Sequence, residues 1–410
     1  MTRTALLAIA AAAATACVDG TATSTGPVNR QPEPSTMVPL RQPTADEYVI
    51  VLRRTSSDVA RESQFAASIG GHVGATWHRA LRGFAARLTP DQRALMARRS
   101  AVAFIEPASL VNASATQTCA PYTACSWGLD RIDETKLPMD GLFATPTRNG
   151  SNVHAYVIDT GIRITHREFG SRASYGIDIV DGDNIADDCN GHGTSMASLI
   201  GGRRLGVAKG VRPVAVRVLN CAGAGSTVDV ISGIDWVTQH AAHPAVANLS
   251  LGGSPSLALD LAVQTSIQSG ITYVVAAGGS ASNACNFSPA RVPEAITVGG
   301  TGDGGGVPPA SPDTRTPSSN IGPCLDLFAP GASIRSAWSA SDTAMFVTTG
   351  SSNSSAFVAG AAALYLDHFP NRTPGQVSAA IVANASIGVV GNPGAGSPNL
   401  LLNIGKPHKP

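Results

Sequence analysis

The feature that most constrains the fold is a series of short apolar runs that alternate with helical stretches after Ser126. Short runs that are apolar on both faces are typical of strands buried in a parallel sheet, and their alternation with helices is typical of an α/β domain. The predicted strands are 153–158, 214–219, 246–249, 271–277 and 295–298, and the helices between them include 228–240 and 257–269. The sequence therefore predicts a parallel-sheet α/β domain.

Polar residues or glycines close several of these apolar runs. Asp159, Asn220 and Ser250 each follow a predicted strand, and Gly278-Gly279 follows another. In open α/β sheets the ligand crevice lies outside the carboxyl ends of the strands. We therefore expect the functional site at this edge of the sheet.

Residues 348–366 change character midway, from a hydroxyl-rich segment containing Gly350 to an apolar run of good helix formers. This pattern predicts a loop that leads into a buried helix, with Ser352 at the N-terminal end. Unpaired backbone N–H groups at such an end would stabilise an anion beside Ser352. An ordinary serine-capped core helix is the alternative.

Three residues in this chain order could form a nucleophilic site. Asp159 lies in Tyr-Val-Ile-Asp-Thr-Gly (156–161), His192 in Asn-Gly-His-Gly-Thr (190–194), and Ser352 at the predicted helix start. A hydroxyl nucleophile needs a base to take its proton and a carboxylate to fix the tautomer of that base. Asp-Thr-Gly is also found in aspartic proteases, but those need a second such motif and this chain has one.

The N-terminal region indicates export. Residues 1–16 have a charged start, an apolar core and a small-residue cleavage site, so they are predicted to be a signal peptide. Residues 17–45 are rich in Thr, Pro and Ser and are predicted to be a flexible linker. Acylation of Cys17, which would give a lipoprotein anchored to the cell surface, is the alternative.

Residues 46–111 show the pattern β-α-β-β-α-β. Thr89-Pro90-Asp91-Gln92 is a capping box with proline at the first helical position, which places the second helix. This order predicts a small ferredoxin-like α+β module. Such a module in an exported protein is either a folding prosegment or a permanent binding module.

Charge and cysteine content exclude some functional classes. The 410 residues carry a formal net charge of +1 with no basic run, which argues against a nucleic acid partner. Seven cysteines are present, and removing Cys17 with the leader leaves six, which predicts three disulfides in an oxidising compartment. Zinc is disfavoured because no Cys-x-x-Cys and no His-Glu-x-x-His occurs.

The motifs at 156–161 and 190–194, with Ser-Leu-Gly-Gly (250–253) and Val-Ala-Gly (358–360), resemble the subtilisin-like serine proteases of the proteinase K branch, with aqualysin most similar. The resemblance runs from Trp127 to about Leu366, and more loosely to Leu402. It implies a three-layer peptidase domain over 112–410 and an inhibitory prosegment over 46–111, cleaved between Asn112 and Thr118. Asp159, His192 and Ser352 would be the triad.

The same resemblance implies further residue roles. It implies two walls of the specificity pocket, one formed by Ser250, Leu251, Gly252 and Gly253 and the other by Ala276, Ala277 and Gly278. It also implies an edge strand that pairs with substrate, formed by Gly223, Ala224, Gly225 and Ser226. The implied disulfides are Cys189–Cys221 and Cys285–Cys324, which leaves Cys119 with Cys125.

Structural calcium is implied as well. One site would use the carbonyls of Pro293 and Ala295 with the carboxylate of Asp326, and a second would use Asp130, Asp133, Glu134 and Asp140, since Ca²⁺ prefers oxygen ligands. Surface solvation is the alternative reading of each acidic residue. The acidic run 178–188 lacks the glycine and closing glutamate of an EF-hand, so it is predicted to be a solvated loop.

Two departures from the family pattern concern the oxyanion hole. Gly279 stands where the family has an asparagine after Ala-Ala-Gly, and the residues after Ser352 are changed too, so Asn353 is the candidate replacement donor. We therefore expect a secreted, monomeric serine endopeptidase that acts on proteins or peptides and is inhibited by its own prosegment. A weakened pseudoprotease or peptide-binding module is the alternative.

Overall fold

The structure is a computed structural model that describes residues 43–53, 58–113, 116–117, 126–144, 146–302 and 309–405. The predicted signal peptide, Cys17, most of the predicted linker, Cys119 and Cys125 lie outside these residues. Within the described part of the chain, no helix has the length and apolar character needed to cross a membrane.

The N-terminal module has the predicted β-α-β-β-α-β order. Its elements are β1 (Glu47–Leu52), α1 (Val59–Ser68), β2 (His72–Trp77), β3 (Gly83–Arg87), α2 (Pro90–Ala97) and β4 (Val102–Pro107). The four strands form an antiparallel sheet in the order β2-β3-β1-β4, which is ferredoxin-like. Helix α2 begins at the predicted capping box, in which the Thr89 hydroxyl accepts from the Gln92 N–H and the Gln92 side chain accepts from the Thr89 N–H.

The rest of the described chain forms a larger unit. Its elements are β5 (Leu110–Ala113), β6 (Thr116–Gln117), α3 (Trp127–Asp133), β7 (His154–Asp159), β8 (Ser174–Asp178), α4 (His192–Gly201), β9 (Arg212–Arg217), β10 (Ala224–Ser226), α5 (Thr227–His240), β11 (Ala245–Leu249), β12 (Leu251–Gly253), α6 (Leu257–Gln268), β13 (Thr272–Ala276), β14 (Ile296–Thr301), β15 (Leu327–Pro330), β16 (Ile334–Ala337), β17 (Met345–Thr349), α7 (Ser351–His368), α8 (Pro374–Asn384), β18 (Ser386–Ile387) and β19 (Leu400–Leu401).

A nine-stranded sheet forms the centre of this unit, in the order β18-β19-β15-β14-β13-β11-β7-β9-β8. Its neighbouring strands run parallel except for β18 with β19. All five predicted strands are confirmed, as β7, β9, β11, β13 and β14, and Gly270, with φ of 102°, follows helix α6 as predicted. The strands β8, β15, β18 and β19 of this sheet were not predicted.

The sheet has helices on both faces. In β7, Ala155 and Val157 belong to one buried cluster with residues of α4 and α7, whereas Tyr156 and Ile158 belong to a second cluster with residues of α5 and α6. This alternation is the period of two expected for a strand that is buried on both faces. The predicted three-layer α/β architecture is therefore confirmed.

Two three-stranded sheets outside the central sheet shape the site. Strand β5 lies between β10 and β12 and pairs with both in antiparallel register. Strand β6 pairs with β17, which in turn pairs with β16. Because β17 leads through Gly350 directly into α7, residues 116–117 pass beside the start of the helix that carries Ser352.

Candidate active site

An aspartate and a histidine meet at the carboxyl edge of the central sheet. Asp159 is the last residue of β7 and is fully buried, and His192 is the first residue of α4. Nδ1 of His192 lies 2.7 Å from Oδ1 and 2.9 Å from Oδ2 of Asp159. Since a carboxylate accepts, the imidazole donates from Nδ1 and keeps Nε2 for accepting a proton. No hydrogen-bond partner of Nε2 is present among the described residues.

The electrostatic surroundings of His192 favour its charged form. Burial is the largest single effect and by itself lowers the pKa of His192. The charge and hydrogen bond of Asp159, together with the charge of Asp188, act in the opposite direction and leave the pKa above its ordinary value. These surroundings therefore favour the protonated form of His192 more than water does.

Ser352 is the second residue of α7 and is fully buried. Its hydroxyl donates to the backbone carbonyl of Ser250 over 3.2 Å, so in this structure it is turned toward Ser250. Ser250 directly follows β11, which is the neighbour of β7 in the sheet. Adjacent strands are about 4.8 Å apart. Ser352, which contacts the end of β11, therefore lies near the Asp159–His192 pair at the end of β7. A rotation about χ1 of Ser352 would redirect its hydroxyl.

The start of α7 can stabilise negative charge. Its N-cap is Gly350, which has no side chain to accept from the first turn. Backbone N–H groups and the helix dipole at such an end favour an anion, here next to the Ser352 hydroxyl. The N–H of Ser352 lies in this first turn.

The loop after β13 lies against this helix start. The N–H of Gly278 donates to the hydroxyl of Ser351 over 3.0 Å. Gly278 has a φ of 99°, and a Cβ there would lie 2.5 Å from Nδ2 of Asn320, so only glycine fits. Gly279 is exposed and is not in the left-handed region. As glycine, it supplies no side-chain donor.

Asn353 is oriented away from this role. Its Nδ2 donates to the carbonyls of Gly331 at 2.9 Å and Thr348 at 3.1 Å, and its Oδ1 accepts from the Thr348 hydroxyl at 2.8 Å. Both amide hydrogens are therefore used, one by Gly331 directly after β15 and one by Thr348 in β17. This arrangement leaves neither of them for an oxyanion.

The two predicted substrate-binding segments form a cleft that another part of the chain fills. Ala224–Ser226 form β10 on one side and Leu251–Gly253 form β12 on the other, and β5 lies between them. The Ala113 N–H donates to the carbonyl of Gly223 over 3.0 Å, and Val111 is fully buried. Ala276 and Ala277, at the end of β13, are buried beside Gly278. The occupation of the cleft by β5 was not apparent from the sequence.

Comparisons with known proteins agree with this geometry. Residues 150–405 match the Subtilase family of peptidases. The chain belongs to the subtilase family. It is 49% identical over 333 residues to the extracellular serine proteinase of Thermus sp. strain Rt41A, covering 81% of this chain and 78% of that protein. It is 43% identical over 375 residues to alkaline serine exoprotease A of Vibrio alginolyticus, covering 87% and 67%.

A solved structure is similar as well. The crystal structure of a cold-adapted subtilisin-like serine proteinase matches with a TM-score of 0.65 and 48% identity, over 68% of this chain and 98% of that one. This subtilase is therefore a subtilisin-like serine protease in fold and in sequence.

The subtilase carries two disulfides in its described part. Cys189 is bonded to Cys221 and Cys285 to Cys324, with Cα atoms 5.0 Å and 5.4 Å apart. The first bond ties the loop before His192 to the segment before β10. The second ties the loop after Gly279 to the segment before β15.

The carboxylates predicted to bind calcium lie in two separate parts of the chain, each with its own hydrogen bonds. Asp326 accepts from the Thr297 N–H at 2.8 Å, and burial raises its pKa to about 6 against the opposing effect of that hydrogen bond. Asp130 accepts from the Gly141 N–H and Asp133 from the Ala144 N–H, and burial raises the pKa of both. In the described part of the chain, no three His, Cys, Asp or Glu side chains are grouped as metal ligands.

Proposed function

We propose that this subtilase is a secreted serine endopeptidase that uses Asp159, His192 and Ser352 and is made as a precursor that its own active site processes. The observation that carries the proposal is the position of β5 and β6. Strand β5 pairs with both walls of the cleft, and β6 pairs with the strand that leads to Ser352. Strands β5 and β6 thus pair with the cleft walls and with the strand before Ser352 as a substrate would.

The geometry supports the following reaction. The Ser352 hydroxyl attacks the scissile carbonyl while Nε2 of His192 takes its proton, and Asp159 stabilises the imidazolium. The start of α7 stabilises the oxyanion of the tetrahedral intermediate. His192 then gives the proton to the leaving amine, which releases the first product and leaves an acyl-enzyme. Water then attacks the ester with His192 as base, which releases the carboxylic acid product and regenerates Ser352.

The positions of β5 and β6 in the sequence limit which peptide bond is cleaved during maturation. Ala113 is the last residue of β5, and Thr116 is the first residue of β6 and pairs with Thr349. Three peptide bonds join these two residues, within the predicted window between Asn112 and Thr118. We infer that the central one, Ser114–Ala115, is cleaved, since it is equally far from both strands.

Contacts between the N-terminal module and the peptidase support an inhibitory role for residues 46–111. Glu106 accepts from the Ser256 hydroxyl at 2.6 Å and from the N–H groups of Leu257 and Ala258, so it caps α6. In return, Asp235 of α5 accepts from the N–H groups of Arg79 and Ala80 at 2.7 and 2.6 Å. The module thereby holds β5 in the cleft.

The proposed location of the protein is extracellular. The Thermus relative is named as extracellular, which agrees with export by the predicted signal peptide and with free secretion rather than anchoring at Cys17.

The proposed activity is lower than that of typical family members. Gly279 supplies no side-chain donor, and we therefore propose a turnover below that of subtilases with an asparagine at this position.

Active-site labelling tests the proposal. The processed protein should react with a fluorophosphonate probe, and peptide mapping should place the label on Ser352, because only a serine activated by a base reacts quickly. His192→Ala should suppress the labelling. A folded, processed protein that does not label would be a peptide-binding member of the family.

The donor set around Asp326 fits calcium, and we propose that the ion stabilises the fold there. Asp326 is partly buried, no cation pairs with its carboxylate among the described residues, and Pro293 and Ala295 lie in the segment just before β14. A bound Ca²⁺ would supply the missing positive charge. The donor set at Asp130, Asp133, Glu134 and Asp140 supports a second site less well, since no three carboxylates are grouped as metal ligands among the described residues.

The calcium proposal predicts a pH-dependent stabilisation. Because the pKa of Asp326 in the folded protein is about 6, above the ordinary 3.8, ionisation weakens the calcium-free fold as pH rises through 6. Calcium binds the ionised form, so it should raise the melting temperature by about 5–10 °C at pH 8 and much less at pH 5. Differential scanning calorimetry with calcium or a chelator measures this.

Two variants make the test specific. Asp326→Asn keeps an acceptor for the Thr297 N–H and should lose the calcium response. Glu294→Gln removes a carboxylate between Pro293 and Ala295 that contacts Gln264 instead, and should keep it. A calcium response that survives Asp326→Asn would place the ion elsewhere.

A further inference from the structure

The acidic run 178–188 is not the solvated loop that its composition suggested. Asp178 is buried and forms an ion pair with Arg217 at 2.6 Å, and Asp188, at the other end of the run, is 5% exposed. A buried carboxylate without a cationic partner is costly unless hydrogen bonds satisfy it. The partners of Asp188 therefore indicate why it is there.

Asp188 accepts five hydrogen bonds, divided between its two oxygens. Oδ1 accepts from the Thr160 hydroxyl at 2.9 Å and from the N–H groups of Asn190 at 2.9 Å and Gly191 at 2.8 Å. Oδ2 accepts from the Thr194 N–H at 2.9 Å and hydroxyl at 2.6 Å. All five groups donate, so they stabilise the ionised form of Asp188 against burial, which raises the pKa of this carboxyl.

These partners lie on both sides of the Asp159–His192 pair. Thr160 follows Asp159 directly, and its hydroxyl also accepts from the Gly193 N–H at 2.8 Å. Gly191 is the N-cap of α4 and has no side chain of its own to cap the helix that His192 begins. The Asp188 carboxylate thus joins the end of β7 to the first turn of α4.

We propose that Asp188 is a positioning residue for the reaction described above: its buried carboxylate fixes the first turn of α4 so that the His192 ring meets Asp159, and its negative charge stabilises the imidazolium. This inference rests on the proposed function. Asp159, from β7, and Asp188, from the segment before α4, are the two carboxylates that act on the His192 ring within the described part of the chain.

The first test is Asp188→Asn. The amide offers one oxygen in place of two, so either the Oδ1 or the Oδ2 donors lose their acceptor and meet an N–H group instead. We expect kcat to fall about 10-fold or more with little change in KM, and the acid limb of the kcat/KM profile to move to lower pH by about half a unit, because one negative charge near His192 is lost.

A matched control removes the neighbouring charge. Asp187 is exposed, and its carboxylate accepts a hydrogen bond from the Tyr175 hydroxyl at 3.3 Å. Asp187→Asn changes the net charge equally but leaves the Asp188 hydrogen bonds in place. It should shift neither kcat nor the acid limb. A shift of the same size in both variants would mean that overall charge, not Asp188, is responsible.

A measurement without turnover separates this inference from the proposed function. In the Ser352→Ala background, NMR titration of the His192 ring nitrogens reports the pKa of His192 directly. Asp188→Asn should lower that pKa whether or not the wild-type protein hydrolyses peptides. An unchanged pKa would overturn the electrostatic part of the inference.

Thr160→Val tests positioning if Asp188→Asn does not fold. Valine has nearly the shape of threonine, so the variant removes the Thr160 bridge between Asp188 and Gly193 but keeps the Asp188 charge. We expect kcat to fall several-fold, with an unchanged acid limb and a cooperative melting transition. An unchanged kcat in Thr160→Val would overturn the positioning part.

Discussion

A Ser352→Ala precursor is expected to accumulate at full length, whereas the wild-type chain is processed to a form that begins at Ala115. The reason is that β5 and β6, which flank the predicted cleavage site, pair with the cleft wall β12 and with the strand that leads to Ser352 in the same molecule, so removal of the hydroxyl removes the nucleophile for this cleavage. Turnover of added peptide should fall by on the order of 10⁶-fold. Intact mass and N-terminal sequencing measure the two products.

The experiment needs a host that lacks other proteases and a check on accessibility. Wild-type enzyme added in excess should cleave the Ser352→Ala precursor in trans, which would show that the cleavage site of the variant is intact and accessible. Ser341→Ala changes an exposed hydroxyl whose contact is the Thr343 N–H, and should be processed normally. Maturation of Ser352→Ala in the protease-deficient host would contradict self-processing.

Gly279→Asn is expected to raise kcat by about 10²-fold with little change in KM. Loss of one oxyanion-hole donor costs about 10²–10³ in turnover in an enzyme of this family, and the hydrogen bond is made chiefly in the transition state. The structure favours a large gain, because both amide hydrogens of Asn353 already bind the carbonyls of Gly331 and Thr348. Steady-state kinetics on a chromogenic peptide measures the gain.

Two variants at the same position identify the cause of any gain. Gly279→Asp has nearly the shape of asparagine but accepts where asparagine donates, so it should lower kcat. Gly279→Ala adds bulk without a donor and should leave kcat close to that of the wild type. An equal gain in all three would indicate a stiffer loop, and no gain with asparagine would indicate that another donor serves the oxyanion.

Local patterns in the sequence determined the secondary structure and the candidate chemistry. The apolar runs that became β7, β9, β11, β13 and β14 are recognisable because a strand buried on both faces needs apolar side chains at every position. The capping box at Thr89 and the glycine after α6 mark helix ends through contacts within one turn. The motifs around Asp159, His192 and Ser352 are equally local, so they predicted the site and the family.

Features that depend on contacts between distant segments were decided by the tertiary structure. Asn353 was a plausible donor from its place beside Ser352, but its orientation is set by carbonyls on Gly331 and Thr348. The insertion of β5 between β10 and β12 depends on a cleft built from residues more than 100 positions away, and nothing in Leu110–Ala113 itself specifies it.

Asp178 and Asp188, at the ends of the acidic run, likewise differ between what the sequence predicted and what the tertiary structure decided. Their spacing and composition were those of a solvated loop, and the intervening Asp181, Asp183 and Asp187 are indeed exposed. Asp178 and Asp188 are buried because Arg217, Thr160 and the first turn of α4 supply the charge and donors that replace water. A sequence records that a carboxylate is present, but its desolvation and its partners exist only once the strands and helices have packed.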